Sequence, residues 1–116
     1  MAYNEELAER IRGLVAGETG VTEQRMFGGL AFLIEGNMAV AASGQGGLLA
    51  RVDPAQANSL SDGRDVAPMV MRGREMRGWL HVEPAALHSE AQLEQWVSRG
   101  VTFARALPPK SPQQAS

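Results

Sequence analysis

The chain has 116 residues, no cysteine and a formal net charge of −2 at pH 7. This length predicts one domain with its own hydrophobic core, and the absence of cysteine excludes disulfides, zinc–thiolate sites and thiol catalysis, which fits a reducing cytoplasmic setting. The acidic start lacks a signal-peptide core, no apolar run approaches the roughly 20 residues of a membrane span, and the acidic balance argues against a domain built to hold nucleic-acid backbone.

The N-terminal segment predicts an amphipathic helix. Asn4 is a suitable N-cap residue, and the acidic Glu5 and Glu6 follow in the first turn, where the helix dipole favours negative charge. Apolar residues then recur at helical spacing as far as Val15. We expect this helix to end near Gly17 and to lie on a sheet.

From Val21 onward the pattern changes to the alternation that is typical of strands. We predict strands at residues 22–26, 30–34, 38–42 and 48–52. Their connections are too short for a crossover, so these strands form an antiparallel meander. The glycine-rich segment 44–47 is predicted to be a turn, because a dinucleotide-binding loop needs a third glycine and a helix after it.

The second half of the chain predicts one more strand between two helices. Asp53 and Pro54 begin a short helix, whereas residues 64–71 are predicted to be a loop because Pro68 interrupts them. Residues 76–82 alternate and form the last predicted strand.

A long C-terminal helix follows, and its first residues, Ser89 to Gln92, match a capping box. Gly100 lies on its apolar face, which predicts a close approach of helix backbone to sheet. Residues 108–116 are predicted to be a disordered, proline-containing tail. The predicted fold class is therefore α+β: one domain at residues 1–107, with a four- to five-stranded antiparallel meander and helices from both ends packed on it.

Several blocks in this order resemble a known family. They are Arg25-Met26-Phe27-Gly28-Gly29, the hairpin through Gly36-Asn37-Met38, the strand at residues 48–52, the segment 73–82, the helix with Leu93 and Trp96, and the ending Leu107-Pro108-Pro109-Lys110. Together they resemble the N-terminal domain of the TfoX/Sxy family, over roughly residues 4–110. Within the first block, the two glycines are predicted to bend the sheet rather than to bind an anion.

The resemblance implies an α+β domain related to the MmcQ/YjbR-like fold. It also implies a bacterial regulatory role, because the best-known members regulate natural competence genes together with a cyclic-AMP receptor protein at promoters. Those members carry a further C-terminal helical domain, and we expect this chain to end before such a domain begins. The resemblance supplies no catalytic residue and no cofactor, so we expect a binding module with a protein partner in the transcription machinery, or a homodimer.

The last predicted strand supplies a candidate contact surface. By period two, Arg77, Trp79 and His81 share one face, opposite a face with Met76, Gly78, Leu80 and Val82. The first face continues over small and apolar positions, with further arginines nearby: Ala31, Leu33, Ala39, Ala41, Leu49, Arg51, Arg72 and Arg74. Because arginine and tryptophan are enriched at interface hot spots, we predict a protein-binding surface. The alternative is that segment 63–75 or a helix folds over this face.

Two other functions stay open. A small enzyme or ligand-binding protein would use a pocket near Arg77, Trp79 and His81, and a nucleic-acid-binding domain would use Arg51, Arg72, Arg74 and Arg77. The only histidines, His81 and His88, have no acidic ligand at a recognisable spacing, so no metal site is predicted.

Overall fold

Six antiparallel strands form a single sheet in the computed structural model, which describes residues 3–26 and 28–108. The strands are β1 (Val21–Met26), β2 (Gly29–Ile34), β3 (Asn37–Ala42), β4 (Leu48–Arg51), β5 (Val66–Met71) and β6 (Arg74–Val82), in the spatial order β1-β2-β3-β4-β6-β5. The predicted α+β class is confirmed. Phe27 and residues 109–116 of the predicted tail, which begins at residue 108, lie outside the described residues, so disorder of that tail stays a prediction.

The helices are α1 (Glu5–Leu14), α2 (Ala57–Leu60) and α3 (Glu90–Ala106), with short 3₁₀ turns at Pro54–Gln56 and Pro84–Leu87. The predicted caps are confirmed. The side chain of Asn4 accepts a hydrogen bond from the Leu7 amide at 3.0 Å, and Ser89 and Gln92 form the reciprocal capping box of α3. None of the helices in the described part of the chain combines the length and the hydrophobicity needed to cross a bilayer.

The sheet has one strand more than the largest predicted number, because residues 66–71 form β5 instead of the predicted loop. Pro68 suggested the loop, since proline cannot donate to a strand ladder. However, β5 lies at the edge of the sheet and needs to pair only with β6, where Pro68 is opposite Leu80. A proline is tolerated on an edge strand because one side of that strand has no partner.

Helices α1 and α3 cover one face of the sheet and bury the main core. Five of its large side chains, Ile11, Phe32, Leu48, Leu80 and Leu93, are completely buried. The predicted close approach at Gly100 is confirmed, because a Cβ atom there would collide with the carbonyl oxygen of Ala39.

Two irregularities change which residues face the helices. Between β2 and β3 the register passes from Phe32 opposite Val40 to Leu33 opposite Met38, which leaves Ala39 unpaired on the helix side. The predicted position of Ala39 on the opposite face was therefore wrong, and Met38 lies there instead.

In β6 the break occurs at Gly78, whose positive φ of 81° interrupts the alternation. Leu80 and Val82 face the helices as predicted, but Met76 packs on the opposite side, so its predicted face was wrong. Strict alternation of side chains between the two faces of a strand does not continue through a bulge. Each extra residue moves the side chains before it to the opposite face of the sheet.

The face opposite the helices carries a second, smaller cluster. Its buried members are Ala31, Leu33, Met38, Ala41, Leu49 and Met69. Met26, Met76 and Trp79 pack against it while partly exposed. Met69 and Met76 come from the two strands of the β5–β6 hairpin, so the hairpin covers part of this face. The sequence had suggested, as the alternative to a binding surface, that segment 63–75 folds over this face.

The carboxylate of Asp62 organises the entry to β5. Its Oδ1 atom accepts hydrogen bonds from the backbone amides of Arg64, Asp65 and Val66 at 2.8–2.9 Å. These bonds, with the one from Val66 contributing most, hold the pKa of Asp62 below its usual value.

We expect Asp62→Asn to destabilise the protein most near neutral pH. A carboxylate whose pKa is lowered on folding contributes stability above its unfolded pKa and loses it as the pH falls through the folded pKa. The difference in melting temperature between the wild type and this variant should therefore shrink on acidification to about pH 2, measured by thermal denaturation. An equal difference at both pH values would contradict this role.

Candidate functional site

The β5–β6 hairpin extends beyond the end of β4. Strand β4 pairs only with residues 79–82 of β6, so the part of β6 before Trp79 has β5 as its strand neighbour. A two-residue turn, Arg72-Gly73, joins the strands, with positive φ values of 55° and 77°. Two consecutive left-handed residues are typical of a type I′ turn, in which asparagine, aspartate or glycine is preferred at the position that Arg72 occupies.

The tip of this hairpin presents what we call the hairpin surface: Val70, Arg72, Arg74 and Arg77. Val70 is 61% exposed, and among the residues whose side-chain burial the structure describes, 3–26, 28–70 and 72–108, it is the only exposed large hydrophobic residue. The three arginines are exposed, and no described carboxylate lies within ion-pair distance of them. The guanidinium groups are therefore available to carboxylates of another molecule without loss of an internal ion pair.

A cleft of about 400 Å³, which we call the hairpin cleft, lies between the hairpin and the sheet face opposite the helices. Two strands and a turn of the sheet contribute Ser43, Gln45, Leu49 and His81 to its lining. Strand β5 and the hairpin turn contribute Ala67, Pro68, Met69, Val70 and Arg72. Its volume is in the lower part of the range of ligand pockets, about 300–1,000 Å³.

His81 holds the glycine-rich turn between β3 and β4 against β6. Its Nε2 lies 2.8 Å from the carbonyl oxygen of Gly46, and since that oxygen can only accept, Nε2–H is the donor. Its Nδ1 lies 3.5 Å from Oε2 of Glu83. The hydrogen bond from Nε2 is thus made within the protein, which gives His81 a structural role in the wall of the hairpin cleft.

Arg51 and Trp79 are opposite each other on β4 and β6 and form a stacked pair. The Cζ atom of Arg51 lies 5.2 Å from the ring centre of Trp79 and 5.4 Å from that of Phe103 on α3. Such cation–π contacts stabilise by about 0.5–1 kcal/mol where they are exposed. The contacts fix the Arg51 side chain between two rings, so it is less available to a ligand than the arginines of the hairpin surface.

The six candidate residues therefore fall into three groups. Arg72, Arg74 and Arg77 form the cationic part of the hairpin surface, Arg72 and His81 line the hairpin cleft, and Arg51 stacks on Trp79. The prediction missed the cleft residues Ser43 and Gln45 and the whole contribution of β5. The available signal was the apolar run at residues 66–71, followed by the turn residues Arg72-Gly73, but Pro68 argued against a strand there.

In the motif Arg25-Met26-Phe27-Gly28-Gly29, Gly28 lies in the connection between β1 and β2, and Gly29 is the first residue of β2. A Cβ atom on Gly29 would collide with the carbonyl oxygen of Ala42, and one on Gly44 with that of Gly28. This stretch thus packs backbone to backbone against the turn after β3. Met26 packs against the second cluster and Arg25 is exposed on the edge strand β1.

Fold and surface together define a small α+β domain with an antiparallel sheet, two covering helices and an arginine-rich hairpin. The TfoX N-terminal domain family matches residues 13–104, from the end of α1 to within the last turn of α3. The chain belongs to this family. No curated protein and no solved structure shows a significant match to the chain.

Proposed function

We propose that this TfoX N-terminal domain is a non-catalytic binding module that acts in the cytoplasm, through protein–protein contacts in the regulation of transcription. The regulatory setting comes from the family resemblance. The observation that carries the proposal is the hairpin surface, where the exposed Val70 and three exposed arginines, Arg72, Arg74 and Arg77, lie on one hairpin, with Glu75 opposite Val70. Arginine is enriched at interface hot spots, so three exposed arginines on one hairpin favour a contact surface.

The partner that fits this surface is a protein with carboxylates around a small apolar depression. Each guanidinium presents a planar fork that binds a carboxylate through two parallel hydrogen bonds. Because these arginines have no ion-pair partner among the described residues, binding does not first break an internal salt bridge. A second copy of the chain is an alternative partner.

Direct binding of nucleic acid has less support than binding of a protein partner. It needs Arg51 beside Arg72, Arg74 and Arg77, but the Arg51 side chain is stacked between two aromatic rings. The exposed Glu75 lies within the arginine cluster, and the chain has a net charge of −2. Both features weaken attraction to phosphate backbone.

The alternative of an enzyme or ligand-binding site at Arg77, Trp79 and His81 also has less support than a protein-binding surface. Of these three residues only His81 lines the hairpin cleft. Its two ring nitrogens already contact Gly46 and Glu83. A general acid or base must reach its substrate directly or through one water molecule, which this arrangement does not favour.

We expect Arg74→Ser/Arg77→Ser to lower the recovery of the partner protein about tenfold in affinity capture from native lysate, since several carboxylate contacts are lost together. The control is Arg25→Ser/Arg64→Ser, which removes the same charge from exposed positions outside the hairpin surface. Equal recovery with both variants would contradict the proposal. Light scattering of the same proteins tests self-association, and a DNA titration over increasing salt tests nucleic-acid binding.

A further inference from the structure

The lining of the hairpin cleft combines one positive charge with an apolar wall. Its described lining contains one guanidinium group, that of Arg72, and no carboxylate. The buried side chains of Leu49 and Met69 supply apolar surface in the same cleft. A cleft with one fixed positive charge and an apolar wall fits a ligand with one negative charge and an apolar body.

Ser43 adds a polar group to this cleft. The residue is only 7% exposed, and its Oγ atom accepts a hydrogen bond from the Gln45 amide at 3.1 Å. Within the described residues this hydroxyl has no acceptor for its own hydrogen, although most buried polar groups are paired. Its hydroxyl hydrogen is therefore free to donate, and Ser43 is one of the residues that line the cleft.

The backbone at Arg72 has a left-handed φ of 55°, a conformation that disfavours residues other than glycine, asparagine and aspartate. Glu35 has a similar φ of 51° in the turn between β2 and β3, so this conformation alone assigns no role. It fixes where the Arg72 side chain leaves the hairpin turn, beside the cleft that this residue lines.

We propose that the hairpin cleft binds the carboxylate of a ligand with an apolar body. Arg72 holds the two carboxylate oxygens with its fork of N–H donors, and Ser43 donates to the same group. Leu49 and Met69 contact the apolar part. A phosphate dianion is a poorer match, because the cleft offers it a single cation.

Two sources supply this chemistry: a small aliphatic carboxylate, and the C-terminal carboxylate of a peptide that ends in an apolar residue. This proposal does not rest on the proposed function, since Arg74 and Arg77, on which that function is tested, do not line the hairpin cleft. Either proposal can fail while the other stands.

The test is a titration of the ¹⁵N-labelled chain with octanoate, followed by amide resonances of Gly46, Gly47 and Val70. We expect saturable shifts, with octan-1-ol binding about tenfold more weakly because it lacks the charge. Arg72→Asn should lower octanoate affinity about tenfold and still fold, because asparagine suits the left-handed turn. The control Arg74→Asn removes the same charge beside the cleft and should leave the affinity unchanged.

A second titration uses the tetrapeptide Ala-Ala-Val-Leu with a free or an amidated C-terminus. Binding of only the free form supports a peptide ligand, and binding of octanoate without the peptide supports a small carboxylate. The proposal is overturned if neither octanoate nor the free peptide binds, if octan-1-ol binds as tightly as octanoate, or if Arg72→Asn and Arg74→Asn have equal affinities.

Discussion

Asn37→Asp is expected to destabilise the protein by about 3–5 kcal/mol at neutral pH, the range for an unpaired buried charge. The Asn37 residue is only 1% exposed, and its Nδ2 donates a hydrogen bond to the carbonyl oxygen of Pro108 at 2.9 Å. A carboxylate at this position has nearly the same shape but no hydrogen to donate. It would instead place a negative charge against the Pro108 oxygen.

The loss should depend on pH in a defined direction. Burial and the Pro108 carbonyl both disfavour the charged form, so the introduced carboxyl group should have a pKa above its unfolded value of about 3.9. The destabilisation is then complete above the folded pKa and disappears as the pH falls below the unfolded value. Urea denaturation at several pH values measures this trend.

The control for this prediction is Asn58→Asp in α2. Asn58 is exposed, so the same chemical change should alter stability by no more than about 0.5 kcal/mol. Equal losses for the two variants would show that the contact with Pro108 does not hold the end of α3 against the start of β3.

Gly100→Ala is expected to destabilise the protein by about 1–3 kcal/mol, even though alanine is the better helix former. A Cβ atom at position 100 would collide with the Ala39 carbonyl oxygen and lie 2.8 Å from Cγ1 of Val40. The backbone of β3 cannot rotate away as a flexible side chain would, so α3 must move from the sheet.

Gly13→Ala in α1 is the matched control. A Cβ atom at Gly13 would have open space around it, and helix propensity then favours alanine by up to about 1 kcal/mol. The two glycine substitutions should therefore shift the urea midpoint in opposite directions. A stabilising effect of Gly100→Ala would refute the close packing of α3 on β3.

The sequence predicts the parts of this fold that depend on local signals. Residues that cap helices, such as Asn4 and Ser89, form bonds within four residues, so their types and spacing suffice. The order of strands β1 to β4 follows in the same way from short connections. The Gly100 contact was also predictable, because a glycine on the buried face of a helix needs a spatial reason.

Features that depend on partners distant in sequence were not predictable. Strand β5 exists because β6 pairs with it, which the residues around Pro68 do not reveal. The faces of Ala39 and Met76 depend on bulges that strict alternation does not reveal. The candidate site shares this limit, since Ser43 and Arg72 come to line one cleft only after the hairpin has folded against the sheet.

The strand order also bears on how the chain reaches its native state. Four of the five strand pairings join strands that follow each other in sequence, and the fifth, β4 with β6, passes over only β5. Short loops cost little entropy to close, so the sheet can assemble hairpin by hairpin from local encounters. Helix α3, which packs on β2, β3 and β4, then docks on a surface that these strands have already built.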